Sequence, residues 1–169
     1  MDGADISSSA VSGSRITIAN VTGNGIELDD AVLTAGSNIS GAATKVYGNS
    51  TIYGTVGTVH ANWTGAKENG LYAGYTTENV ALTLDGAVTG NVYVGSDTEG
   101  YAAALTVQGG SKVGGIYDRV YGSAVITGSD NVIDYINAKG SITVENAANT
   151  TIAAMARQKP ATCSQVGIS

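Results

Sequence analysis

The sequence predicts an all-β chain wound as a β-solenoid of about seven coils. Three observations predict it. Through the first 150 positions apolar residues alternate with Thr, Asn and Ser at a period of two, and helix-forming residues are scarce. Two short strand units recur along the chain. Gly, Asn and Asp mark the junctions between them, where a sharp corner needs positive φ at low steric cost.

The clearest unit is apolar-Thr-apolar: Ile16-Thr17-Ile18, Leu82-Thr83-Leu84, Leu105-Thr106-Val107 and Ile142-Thr143-Val144, with Val125-Ile126-Thr127 as a looser copy. Each puts two large side chains on one side of a strand and Thr on the other. The second unit is apolar-Tyr-Gly, at Val46-Tyr47-Gly48, Ile52-Tyr53-Gly54 and Val120-Tyr121-Gly122. Val92-Tyr93-Val94-Gly95 and Ile116-Tyr117-Asp118 are its relatives. From Leu82 to Ile142 the first unit returns at a mean period of about 20 residues, too few to bury an apolar face alone, so each repeat must stack on its neighbours. With strands about 4.8 Å apart, about seven such coils make a rod of roughly 30 to 35 Å. Corner candidates are Val21-Thr22-Gly23-Asn24-Gly25, Asp85-Gly86 and Gly109-Gly110-Ser111. An antiparallel β-sandwich satisfies the same alternation. The solenoid is preferred because one unit returns with similar neighbours, although the intervals vary from 23 residues, Leu82 to Leu105, to 16, Ile126 to Ile142.

Three segments follow. Residues 1–13, rich in Ser, Gly and Asp, read as a flexible lead or cap, and residues 14–152 as solenoid repeats. Residues 153–169 read as a C-terminal cap or frayed tail, because the run from Ala153 to Lys159 favours a short helix that Pro160 would stop.

Composition excludes several functions. With 14 acids, 8 bases and a net charge of −6, the chain lacks the basic cluster that nucleic-acid binding requires. No window approaches the roughly 18 to 20 apolar residues of a membrane-spanning helix, so this segment is not expected to insert in a membrane. The first five residues are acidic and polar, so an export signal would have been removed or would lie outside this sequence. One cysteine, Cys163, permits neither an internal disulfide nor a thiolate zinc site, and it lies in a polar stretch without an evident activating base.

No catalytic constellation, metal site or cofactor is expected. His60, the only histidine, alternates with apolar neighbours in Thr58-Val59-His60-Ala61 and reads as an outward strand residue. Glu27, Asp29 and Asp30 form the densest acidic cluster, which a polysaccharide-cleaving β-helix would need as its carboxylate pair and which a solvated sheet edge explains more simply. Asp97, Glu99, Asp118 and Asp130 lie near turns, but their spacing matches neither an EF-hand nor the nonapeptide calcium array. The outward threonines lack the Thr-x-Thr triplet of an ice-binding face and reflect β-propensity. The candidate ligand-binding residues are Trp63, Tyr72 and Tyr75, in the irregular stretch from Asn62 to Asn79, where flat aromatics on a bulging loop would offer contact area to a sugar or a protein.

The stretches Ala81-Leu82-Thr83-Leu84-Asp85-Gly86-Ala87-Val88-Thr89-Gly90-Asn91-Val92-Tyr93-Val94-Gly95 and Ala104-Leu105-Thr106-Val107-Gln108-Gly109-Gly110-Ser111-Lys112-Val113-Gly114-Gly115-Ile116-Tyr117 resemble the Gly-rich repeats of bacterial surface proteins, the autotransporter-type adhesin passengers above all. The resemblance covers about residues 14 to 152. It implies a right-handed parallel β-helix, exported to the bacterial cell surface or beyond and acting in adhesion. It also implies an export signal and a translocating barrel encoded outside this sequence, and so a fragment. The expected function is a non-catalytic structural or adhesive segment that contacts a glycan or a protein on a host or neighbouring cell. A fragment of a polysaccharide-degrading β-helix enzyme is the alternative.

Overall fold

A computed structural model describes residues 2–7, 16–20, 22–41, 43–61, 80–157 and 163–165. These contain strands and no helix, and every strand pairing in them is parallel. The strands stack as a β-solenoid of about six turns, the architecture of a right-handed parallel β-helix. Coil length is uneven. Leu105 stacks on Leu82 after 23 residues and Ala124 on Leu105 after 19, but Leu82 stacks on Ser50 only after 32.

One coil shows the design. The strand Val80–Asp85 belongs to a short-stranded sheet, and after a corner at Gly86 the strand Val88–Val94 crosses to a second sheet. This second sheet is bent: in other coils the same path is broken into two strands, as in Val132–Ile133 followed by Ile136–Ala138. The alternation sends every second side chain inward. Inward residues then stack into continuous columns. Ile18, Leu33, Ile52, Leu84, Val107, Ile126 and Val144 follow one another on the short sheet. Val59, Val92, Ile116 and Ile136 do so across the rod, all fully buried.

The apolar-Thr-apolar units are the strands of the short sheet. Thr51, Thr83 and Thr106 lie in register, continued by Val125 and Thr143. The stacked triplet in that coil is therefore Ala124-Val125-Ile126, one residue earlier than the loose copy expected from sequence. Ala124 is a small inward residue that the pattern of large apolar side chains passes over. The apolar-Tyr-Gly units divide between two environments. Tyr93 and Tyr117 lie within strands of the bent sheet, whereas Tyr53 and Tyr121 sit at corners and are exposed.

Corners are held by buried polar side chains as well as by glycine. At the corner entering the bent sheet, Ser111 Oγ accepts the Ala87 N–H at 3.1 Å and donates to the Gln108 carbonyl at 2.6 Å. Asn131, in the next coil, accepts the Ser111 N–H at 3.1 Å and donates to the Thr127 carbonyl at 2.8 Å. Both side chains are fully buried, so each closes its own turn and ties it to the coil below. Asn131→Ala leaves the Ser111 N–H only its longer bond to the Gln108 carbonyl, at 3.2 Å, and takes the Asn131 donor from the Thr127 carbonyl. It should cost about 2 kcal/mol, measured as a lower urea midpoint, while Asn149→Gly at the exposed corner of the next coil, which tolerates the φ of 54° there, should change it little.

The composition that favours helix from Ala153 to Lys159 is overridden where it is described. Met155–Arg157 is a strand stacked on Ile136–Ala138, and Cys163–Gln165 stacks on Ser141–Val144. An exposed sheet edge offers a full row of backbone donors and acceptors, which outweighs the weak helix preference of a few residues. At the other end, Asp2–Ser7 pairs with Thr22–Asp29.

Candidate functional site

The stacking that builds the core also lines up the outward side chains of the bent sheet. Glu27, Lys45, His60, Tyr93, Tyr117 and Asn137 occupy one register position in successive coils. The column begins with a Lys45 Nζ to Glu27 Oε1 ion pair of 2.8 Å, worth about 1 kcal/mol at most on a surface. The His60 ring meets Tyr93 edge to face, with centroids 5.2 Å apart. Tyr93 and Tyr117 are stacked at 4.8 Å with ring planes 19° apart, and Tyr135 leans on Tyr117 at 5.9 Å. The stacking distance equals the strand spacing, so the in-register tyrosines cover one another's faces and hold neighbouring coils together.

Beside the end of this ladder lies a pocket of about 210 Å³ lined by Tyr93, Tyr117, Asp118, Arg119, Asn137 and Lys139. Its cations come from successive corners and converge on one acid. Asp97 Oδ2 accepts from Lys139 Nζ at 2.9 Å and from Arg119 Nη1 at 3.2 Å, and Asp97 Oδ1 accepts the Val120 N–H at 3.3 Å. Partial burial alone would raise the Asp97 pKa, but the Lys139 and Val120 hydrogen bonds and the two positive charges outweigh it and hold the carboxyl below its ordinary value. Two cations thus share this one carboxylate, in a chain whose net charge is −6.

Asp118 borders the pocket. It occupies an inward position of the bent sheet, between Val94 of the coil before and Ala138 of the coil after, and is 1% exposed. Neither carboxyl oxygen has a hydrogen-bond partner among the described residues, although the Gly140 amide lies close enough to exert a weak pull. Burial pushes its pKa up to about 7, against that small opposing effect of Gly140. The corner leaves room for the carboxyl only because Gly122 and Gly140 carry no side chain: a Cβ on Gly122 would collide with Asp118 Oδ1, and one on Gly140 would come within 2.7 Å of Oδ2.

The residues singled out by sequence fall in several places. Trp63, Tyr72 and Tyr75 lie outside the described residues. His60 points outward, as expected, and its ring packs on Tyr93. The acidic cluster is spoken for in part, since Glu27 pairs with Lys45 and Asp30 Oδ1 accepts the Asn49 N–H at 2.7 Å. Asp30 and Asp130 adopt positive φ at corners, where Asp130 accepts from Asn149. Among the described residues no three His, Cys, Asp or Glu side chains gather as metal ligands. The sequence marks Asp97 and Asp118 only as turn acids weighed for calcium and does not anticipate the pocket, yet a signal exists. In Ile116-Tyr117-Asp118 an acid stands where Val92-Tyr93-Val94 has its second inward apolar residue. No family model, curated protein or solved structure matches the chain.

Proposed function

We propose that this chain is a non-catalytic structural and adhesive segment of a bacterial cell-surface or secreted protein, a rod that presents its outward columns to glycans or proteins of a host or neighbouring cell. The observation that carries the reading is the half-buried ladder of His60, Tyr93 and Tyr117, which ends in a pocket with charged walls. Aromatic edges, phenol hydroxyls, a carboxamide and cations on a rigid backbone are the groups from which low-affinity recognition surfaces are built. The scaffold suits that use, because each coil fixes the next and the displayed groups keep their spacing without a bound partner.

The polysaccharide-cleaving alternative through Glu27, Asp29 or Asp30 is the weaker reading, since Glu27 and Asp30 already hold Lys45 and the Asn49 amide. Glycan-array and cell-adhesion measurements on the purified chain test the proposal. Retention on a defined glycan set or on cells is expected, together with no release of reducing ends from acidic or neutral polysaccharides. Absence of binding on every surface removes the adhesive role, and cleavage that Asp29→Asn abolishes replaces it with the enzymatic one.

A further inference from the structure

We propose that Asp118 makes the coils beyond it a pH-released end of the rod: Ile136–Ala138, Ser141–Val144 and the strands stacked on them stay docked in mildly acid solution and open, without the rest of the rod, as the solution turns alkaline. The inference concerns how the rod holds together and is independent of what it binds. Two features meet at this point of the stack.

The first is a carboxyl in an apolar column. Asp118 is 1% exposed, lies in register between Val94 and Ala138, and has neither oxygen hydrogen-bonded among the described residues. A charge in that place is costly. From the side of the following coil Asp118 is covered by its pairing with Ala138 and by the close approach of Gly140. Undocking that coil opens this side to water and leaves the pairing of Asp118 with Val94 intact. The second feature is the thinning of the core beyond Asp118. Leu84, Val107 and Ile126 are fully buried on the short sheet, but Val144 and Ile152 are only partly buried, and Ala153, Ala154 and Met155 are exposed. Coils with less buried apolar surface open at lower cost, and in a stack where each coil touches only its neighbours they open alone.

The inward faces of Val88–Val94, Gly122–Ile126 and Ile136–Ala138, which pack around Asp118, bring no titratable side chain. Outside the column, Tyr93 and Tyr117 lie on the outward face, and Arg119 and Lys139 pair with Asp97 at the corner. Against its partial burial, the Lys139 and Val120 hydrogen bonds hold Asp97 below its ordinary value, so it stays charged from pH 6 to pH 8. Burial pushes Asp118 up to about 7, and opening returns it towards its ordinary 3.8. The docked form therefore holds a proton that the opened form has released. Docking is strongest below the lower value, weakens as pH rises through the window, and changes little above about 7. The equilibrium for opening should rise about tenfold from pH 6 to pH 8.

The test is native-state hydrogen exchange of the full chain at pH 6 and pH 8, each rate divided by that of Asp118→Asn at the same pH so that the chemical exchange rate cancels. The reporters are the Lys139 and Glu145 N–H groups, which donate to the carbonyls of Asp118 at 2.9 Å and of Ile126 at 3.0 Å across the junction that opens. Their rate ratio should rise about tenfold from pH 6 to pH 8. Their dependence on added urea should be shallower than that of whole-chain unfolding followed by circular dichroism, because an end coil exposes less surface than the rod. Asp118→Val, which repeats the Val94 of the coil before, serves as the reference if the Asn variant does not fold. A ratio that is the same at both pH values overturns the release, and a urea dependence as steep as that of global unfolding overturns its confinement to the end coils.

Discussion

Gly140→Ala is expected to destabilise the rod by about 3 kcal/mol or more, at the upper end of what overpacking costs. Gly140 turns the chain from Ile136–Ala138 of the bent sheet into Ser141–Val144 of the short one. A Cβ there would collide with the carbonyl oxygens of Gly122 and Arg119 in the coil below and crowd Asp118 Oδ2. Those carbonyls cannot retreat. The Arg119 carbonyl accepts the Gly122 N–H at 2.8 Å, and the Lys139 N–H is tied to the Asp118 carbonyl at 2.9 Å. Separating the coils would also break the in-register pairing of Ser123 with Ser141 and Ala124 with Ile142. Gly57→Ala is the matched control, because its nearest atoms would lie 3.9 Å from the new Cβ, and its effect should stay within about 1 kcal/mol in either direction. Urea denaturation of the two variants decides the matter: equal midpoints would mean that the corner is not packed as described.

That corner shows where sequence reasoning stops. The period-two alternation and the return of Leu82-Thr83-Leu84 as Leu105-Thr106-Val107 made the solenoid legible, because stacking demands that like residues recur one coil apart. The lengths of individual coils were less legible, since the 32-residue step from Ser50 to Leu82 leaves no periodic trace. The pocket was hidden for another reason. Tyr117, Asp118, Arg119, Asn137 and Lys139 are separated by a coil of chain and meet only once register is known to the residue. The copy in which Ala124 takes the place of a large apolar residue shifts that register by one. His60 was legible in orientation but not in role, because its neighbour Tyr93 lies 33 residues along the chain.

Asp118 makes the second large prediction. Its native pKa lies near 7 against an ordinary value of 3.8, because the inward position strips the carboxyl of water and the Gly140 amide returns little. Between those two values the folded chain holds a proton that the unfolded chain has released, so stability falls as pH rises across the window and levels off above about 7. From pH 5 to pH 8 the loss due to this group should be about 3 kcal/mol, at about 1.4 kcal/mol for each pH unit inside the window. Asp97 acts in the opposite sense, and only in more acid solution, where protonation of its depressed carboxyl would forfeit the Lys139 and Arg119 pairings. Asp118→Asn keeps the shape of the side chain and cannot ionise. Its stability advantage over the parent chain should be larger at pH 8 than at pH 5 by about 3 kcal/mol, a divergence that urea midpoints measured at both values would record. Every group other than Asp118 is common to both chains, so its contribution cancels in the difference. Parallel stability curves for the two proteins would place the Asp118 carboxyl in contact with water, and its buried inward position would have to be abandoned.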